Sequence, residues 1–307
     1  MRVAIIGGTG LIGAAITSLL ARLGHPVSVL SRRPATLSPM AGAEWFECDI
    51  SDSARLSATL ARIRPDAIVH LAAYLQFACE KNPLEAVRIN VDGTLNVLES
   101  CRQLGIRRMI FGSSISAYGE RDDLMTEADP PSANTGLYGM TKRLGEMLGE
   151  RYSALHGFEF IALRYCGVFG PGEVSSAGMA LVRQQIKSTA RGQDVLVDGA
   201  SGNEHIHLTH VTDAAEATLC ALQHPEPKYT VYNVAGPEAN YRSLKDFHAT
   251  VRAIVPSAGN VIWSGQGRSA GPADTRRLRE DLGFKPSISL HTGLKLDLQT
   301  ISAISNV

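Results

Sequence analysis

The 307-residue chain has no excess of charge, because 30 Lys and Arg balance 30 Asp and Glu. A phosphate backbone is held by clustered, surplus Lys and Arg, so this balance argues against nucleic acid as a partner. Paired cysteines are lacking too. Cys48, Cys79, Cys101, Cys166 and Cys220 are scattered, odd in number and contain no C-x-x-C pair. That excludes a disulfide scaffold and a close-paired structural zinc site, and the five read as small buried hydrophobes in a reducing cytoplasm. No stretch approaches the roughly 20 apolar residues of a membrane span, which argues against a membrane protein. The apolar run from Val3 to Ala21 imitates a signal-peptide core, but Gly7, Gly8, Gly10 and Gly13 interrupt it and mark it as structure. Internal repeats and low-complexity tracts are also missing. What remains is 44% hydrophobic and 20% charged, an ordinary globular composition that excludes disorder as the main state. A neutral small molecule suits it better as partner than a polyanion.

The length accommodates one large α/β domain or two smaller ones. Strands are expected at Val3–Ile6, Val27–Leu30, Trp45–Glu47, Ala67–His70, Met109–Phe111 and Phe160–Arg164. Between them, helical spacing covers Leu11–Leu23, Ala54–Ile63, one long helix around Leu84–Leu104, and Leu137–Leu155. Strands alternating with helices imply parallel βαβ units and a Rossmann-type, doubly wound parallel α/β sheet. After Arg164 the rhythm breaks, with Gly and Pro clustered at 167–172, 198–203 and 256–272. The expected organisation is a dinucleotide-binding domain over 1–165, rejoined by segments near 205–236. A smaller, interleaved substrate lobe occupies most of 166–307.

The first strand runs into Gly7-Gly8-Thr9-Gly10-Leu11-Ile12-Gly13, a G-x-x-G-x-x-G turn that opens a helix. Glycine permits the tight turn and lets the backbone approach a pyrophosphate, while the helix N-terminus offers free N–H groups to it. About 20 residues on, such folds place a carboxylate for the ribose hydroxyls of NAD. Here the second strand ends Leu30-Ser31-Arg32-Arg33. Two guanidiniums can hold a 2′-phosphate through forked bonds, so NADP is favoured, with NAD the other choice. Tyr138 and Lys142 stand at i and i+4 on a predicted helix and share a face. A neighbouring ammonium is expected to pull the tyrosine pKa down, and Ser113-Ser114 end the preceding strand, where a hydroxyl can bind the reacting oxygen.

With these motifs the sequence resembles the extended short-chain dehydrogenases/reductases of the NAD(P)-dependent epimerase/dehydratase type. The resemblance runs over nearly the whole chain: GGTGLIG at 7–13, Asp49-Ile50, HLAA at 70–73, Asn90 in NVDGT, SSISAYG at 113–119, YGMTK at 138–142, LRYCGVFGPG at 163–172, HVTDAAEA at 210–217 and DLGFKPSISLHTGLK at 281–295. It implies Tyr138 as general acid/base, Lys142 as the residue that tunes it and holds the nicotinamide ribose, and Ser114 as the group polarising the substrate oxygen. It implies cofactor contacts from Gly7, Thr9, Gly10, Leu11, Ile12 and Gly13, from Asp49 and Ile50 at the adenine, from Leu71, Ala72 and Ala73 along its path, and from Cys166, with Asn90 supporting that wall. It also implies a homodimer built on the helices around 84–104 and 137–155.

Departures from the family pattern narrow the activity. Ile115-Ser116 stand where dehydratases of the family carry an Asp-Glu pair. Gly167 replaces the usual Asn of nucleotide-sugar enzymes, and no arginine precedes His210, which leaves Arg183, Arg191 or Arg268 as substitutes. His205, His207 and His210 have no obvious further ligands in register except Glu204 and Asp213, and the family resembled needs no metal, so none is expected. The expectation is an oxidoreductase moving a hydride to or from a secondary alcohol or ketone of a polar, sugar-like substrate. A nucleotide-sugar epimerase is the alternative, and a non-catalytic cofactor-binding protein the lesser one.

Overall fold

The computed structural model describes residues 1–34, 42–172 and 177–305, with side chains omitted at 177–183 and 300–305. Seven strands form the central sheet: β1 (Val3–Ile6), β2 (Val27–Ser31), β3 (Ala43–Glu47), β4 (Ala67–His70), β5 (Arg108–Ser114), β6 (Glu159–Tyr165) and β11 (Val231–Val234). Their order is β11-β6-β5-β4-β1-β2-β3, and every pairing is parallel. The order reverses between β1 and β4, which opens a crevice at the carboxyl ends of those strands, where doubly wound sheets bind ligands.

Period-two alternation sorts the sheet residues onto two faces. Val3 and Ile5 join Ile16, Leu20, Ala214 and Ala221 from α1 (Leu11–Arg22) and α8 (Val211–Gln223). Ala4 and Ile6 join Leu56, Leu60, Val97 and Leu98 from α2 (Ser53–Ile63) and α5 (Gly93–Leu104). Full burial of each large aliphatic chain contributes roughly 1.5–3 kcal/mol.

The expected long helix at 84–104 is present, its helical backbone running unbroken from Pro83 to Leu104 with one widened turn inside it. After the short α3 (Gln76–Lys81) comes α4 (Pro83–Val87), then a π-turn at Arg88–Asp92, then α5. The π-turn carries Asn90, and such one-turn widenings recur at functional sites. α6 (Leu137–His156) crosses the sheet on a run of inward glycines. A Cβ on Gly139 would lie 2.0 Å from the Ser116 carbonyl, one on Gly145 2.6 Å from the Phe111 ring, and one on Gly149 2.1 Å from the Phe160 ring. Absent side chains let the helix lie that low.

Beyond β6 the chain adds β7 (Val168–Phe169), α7 (Ala177–Ala190), β8 (Val195–Asp198), β9 (His205–His207), β10 (Thr209–His210), β12 (Tyr241–Ser243), α9 (Leu244–Ile254), β13 (Val261–Ser264), α10 (Arg276–Glu280) and α11 (Leu290–Ser305). β7 pairs with β10, β9 with β12 and β8 with β13. Phe169, Ile186, Phe247, Val251, Leu290 and Leu294 form a separate core there. Of the segment 205–236, only β11 joins the central sheet, because β9 and β10 are taken up by these small sheets. Among the described residues no helix is long and apolar enough to cross a membrane.

Candidate active site

The turn after β1 has no room for side chains. Gly7 has φ +84°, and a Cβ there would lie 2.6 Å from the Ala72 amide nitrogen. On Gly13 a Cβ would lie 2.4 Å from the Gly7 carbonyl. Leu71 and Ala72 both donate to the Ile6 carbonyl, at 2.8 and 3.1 Å, so the loop after β4 rests against the glycine turn. Gly10 caps α1 without a side-chain bond, and the amides of Leu11, Ile12 and Gly13 open the helix, where no intrahelical acceptor precedes them. Thr9 and Ile12 are half-buried along this rim, while Leu11 is buried and faces Gly172. A cradle closed to Cβ atoms beneath a bare helix N-terminus fits a pyrophosphate.

Ser114 ends β5 and caps the following 3-10 turn at Ile115–Tyr118. Its Oγ accepts from the Ser116 amide and donates to Ser116 Oγ, both at 3.1 Å. Tyr138 lies in the first turn of α6 and is half-buried. Burial pushes its phenol above the ordinary value, as does the field of Cys79, and a hydrogen bond with Ser114 draws it back. The expected downward pull of Lys142 on Tyr138 is therefore not what the protein alone produces. The ammonium lies 5.7 Å from the Tyr138 ring centroid and 4.8 Å from that of Phe111, and Nζ donates to the Gly112 carbonyl at 2.6 Å. Desolvation outweighs it. The same burial lowers Lys142 to about 8, opposed by the fields of Cys79 and Glu146.

Asn90 works as a clamp. Its Oδ1 accepts from the Tyr74 amide at 2.6 Å, and Nδ2 donates to the Tyr74 carbonyl at 2.9 Å and to Thr141 Oγ1 at 3.0 Å. The loop of Leu71, Ala72 and Ala73 is thereby tied to the helix that carries Tyr138 and Lys142. Beneath it, His70 is fully buried, and its Nε2 meets Thr94 Oγ1 at 3.1 Å. Thr94 Oγ1 already donates to the Asn90 carbonyl, so His70 carries its proton on Nε2 and leaves Nδ1 bare. Burial, and then the charge of Lys142, lowers His70 to about 3 and keeps it neutral.

A buried ion pair escaped the sequence reading. Glu146 is 0% exposed and Arg164 1%. Arg164 donates to both carboxylate oxygens, at 2.8 and 2.7 Å, and Ser113 Oγ donates to Oε1 at 2.6 Å. The Arg164 guanidinium covers the Tyr118 ring at 4.5 Å, and Tyr118 donates to Asn233 Oδ1 at 2.7 Å. The signal was an arginine inside the otherwise apolar strand run Phe160–Tyr165, which requires a buried counter-charge.

Arg32 and Arg33 are exposed beyond β2. Asp49 is half-buried and accepts from the Ser51 amide and hydroxyl at 2.9 and 2.7 Å. Those bonds and the Arg32 charge hold its carboxyl low against the opposing effect of burial. Ile50 is buried against Gly93. The Cys166 side chain packs among Tyr118, Met125, Ala235 and Ala273, so its backbone is the part available to a ligand. His207 is held by the Gly236 carbonyl and the Ala273 amide, His205 is tilted against Tyr241, and His210 caps α8 through Nδ1. Arg268 is ion-paired with Glu120, Arg191 is exposed, and the Arg183 side chain lies outside the described residues.

Residues 3–235 match the profile of the NAD dependent epimerase/dehydratase family. The UDP-glucose 4-epimerase of Lacticaseibacillus casei is 27% identical, over 94% of this chain and 92% of its own. The UDP-N-acetyl-alpha-D-glucosaminuronate decarboxylase of Bacillus cytotoxicus is 26% identical over 99% of both. Among solved structures, UDP-glucose 4-epimerase of Thermus thermophilus in complex with NAD superposes with a TM-score of 0.87 at 25% identity, covering 98% of this chain and 99% of that one.

Proposed function

The chain belongs to the NAD dependent epimerase/dehydratase family, and within it we propose that this protein transfers a hydride to or from a secondary alcohol or ketone of a polar, sugar-like substrate. The observation that carries the reading is the meeting of Ser114, Tyr138 and Lys142 beside the glycine cradle. The nicotinamide, when bound, supplies or accepts the hydride. Tyr138 Oη gives or takes the proton at the substrate oxygen, and Ser114 Oγ, whose proton is given to Ser116 Oγ here, would turn it to the same substrate oxygen. Burial holds the phenol above its ordinary value, and an ammonium one turn away on the same helix favours loss of its proton. The backbone at Gly7, Gly10 and Leu11–Gly13 would hold the pyrophosphate, and Asp49 and Ile50 the adenine.

The exposed pair Arg32 and Arg33, with no carboxylate at the end of β2, supports NADP over NAD for this chain. Net oxidation or reduction is favoured over epimerisation by one feature of the substrate side. A Cβ at Gly167 would lie 2.8 Å from the His207 carbonyl, so no side chain there can anchor a nucleotide. An epimerase must retain its ketone intermediate through a second hydride step. The epimerase reading is favoured in turn by the full-length similarity to UDP-glucose 4-epimerases. The five cysteines are free, and four of them are buried, which supports a reducing, cytoplasmic setting. Exposed Met140, Leu144, Met147 and Leu155 on one side of α6 support a homodimer through that helix.

One experiment separates the two activities. The protein is incubated with NAD or NADP and either free sugars or UDP-glucose, while 340 nm absorbance and the sugar NMR spectrum are followed. Stoichiometric reduced cofactor supports net redox. The 4-epimer of UDP-glucose without reduced cofactor supports epimerisation, and neither outcome across the panel rejects a sugar substrate.

A further inference from the structure

We infer that Arg88 is a positioning residue, reaching from the widened turn before α5 through Ser51 to set the Asp49 carboxylate against the exocyclic amine of an adenine. The inference rests on the proposed placement of adenine at Asp49 and Ile50, and on nothing about the hydride step.

Asp49 lies two residues beyond β3, at the carboxyl end of the sheet. Its Oδ1 accepts twice from Ser51, from the amide at 2.9 Å and the hydroxyl at 2.7 Å, and among the described residues no donor is bonded to Oδ2. A serine hydroxyl has one hydrogen to give. Ser51 Oγ accepts from Arg88 Nη1, which can only donate, so that hydrogen is directed to Asp49. The guanidinium is itself fixed. Nε and Nη2 donate to the two carboxylate oxygens of Glu85 at 2.8 and 2.6 Å, a forked pair that leaves Nη1 for Ser51. Glu85, Arg88, Ser51 and Asp49 thus form one chain of bonds from α4 to the loop after β3, with 37 positions between Ser51 and Arg88.

The same π-turn carries Asn90, whose amide grips Tyr74. One turn of helix therefore ties down two loops, after β3 and after β4, that both belong to the proposed cofactor path. An ionised carboxylate accepts hydrogen bonds and cannot donate them, and Asp49, with its pKa below the ordinary value, is ionised at neutral pH. With Oδ1 engaged, Oδ2 takes the amine of adenine and repels the carbonyl oxygen that hypoxanthine carries in its place. A carboxylate free to rotate discriminates less. The phosphates and riboses are the same in both dinucleotides, so the ratio of their affinities reads the base edge alone.

The test titrates full-length protein by calorimetry, at fixed salt, with NAD and nicotinamide hypoxanthine dinucleotide, or with their 2′-phosphates if those bind more tightly. Wild type should prefer the adenine form. The Arg88 side chain is 47% exposed, so Arg88→Ala leaves the core intact. It should cut the preference roughly fivefold, within the strength of one hydrogen bond. Ser51→Ala should cut it at least as far, and Arg88→Ala added to Ser51→Ala should cut it no further, because the two residues act in one chain. A preference that Arg88→Ala leaves unmoved overturns the inference, even where both probes bind more weakly, since that marks an effect of charge on the phosphates. So does a further loss in the double variant, which would put Arg88 on the base directly. Wild-type protein with no preference overturns the placement of adenine at Asp49 as well. None of these results touches the hydride reading, which Tyr138→Phe turnover decides.

Discussion

The Ala72 amide occupies the space that any side chain on Gly7 would need: a Cβ there would lie 2.6 Å from that nitrogen, at a backbone φ of +84°. Two loops, after β1 and after β4, therefore close on each other only through a glycine. Gly7→Ala should cost about 1–3 kcal/mol of stability from the strained backbone and weaken cofactor binding as the loops separate. Calorimetric Tm and cofactor titration check both. A variant that keeps wild-type cofactor affinity would show that the cradle is not the pyrophosphate site.

Tyr138→Phe removes one hydroxyl from a half-buried ring and leaves its packing intact. Turnover should drop on the order of 10²–10⁴, with Tm and cofactor affinity unchanged. Steady-state kinetics on the substrate found by the panel above measures it, and near-normal turnover would favour a cofactor-binding protein instead.

Cofactor choice should lie in Arg32 and Arg33. Wild-type protein is expected to bind NADP more tightly than NAD, and Arg33→Ala should shrink that ratio about tenfold, roughly the strength of one charge-assisted bond. Equal affinities in the wild type, or an unmoved ratio in the variant, would leave the two guanidiniums as a solvated turn.

Stability should fall on the acid side. An unfolded His70 takes up a proton below its ordinary value of 6.5, whereas the buried ring refuses one down to about 3. Across that window the unfolded state binds more protons, so stability declines as pH falls and is unaffected by His70 above it. His210 and His248, both lowered by burial to about 4, act in the same direction. His70→Asn should flatten the slope of unfolding free energy between pH 6 and 4 by about 1.4 kcal/mol per pH unit, as read by urea denaturation at stepped pH.

The outer side of α6 predicts assembly. Met147 is 55% exposed between Leu144 and Leu155, and Met147→Glu should turn a dimer into a monomer in light scattering at micromolar concentration. A wild type already monomeric there would remove the proposed interface.

The sheet and the glycine turn were legible because their signals are local: β-branched runs, G-x-x-G-x-x-G, Tyr138 and Lys142 one turn apart. The π-turn inside the helix at 84–104 was not, since it inserts one residue without breaking the apolar pattern, and the Asn90 it carries grips Tyr74 across 16 positions. Glu146 and Arg164 meet across 18 positions, through a strand pairing that no window of sequence contains. β9 and β12 pair through the irregular second lobe, where neither periodicity nor turn residues specify a partner.

The glycines along α6 also order events in time. Gly139, Gly145 and Gly149 each cost a helix roughly 1 kcal/mol relative to alanine, and an isolated 20-residue segment has little to offset that. A peptide of residues 137–156 should be largely unstructured by circular dichroism. Tyr138 and Lys142 then acquire their spacing only after Phe111 and Phe160 are in place to receive the bare helix face. The proposed acid/base pair would then be assembled late in a folding chain, on a surface that must already exist.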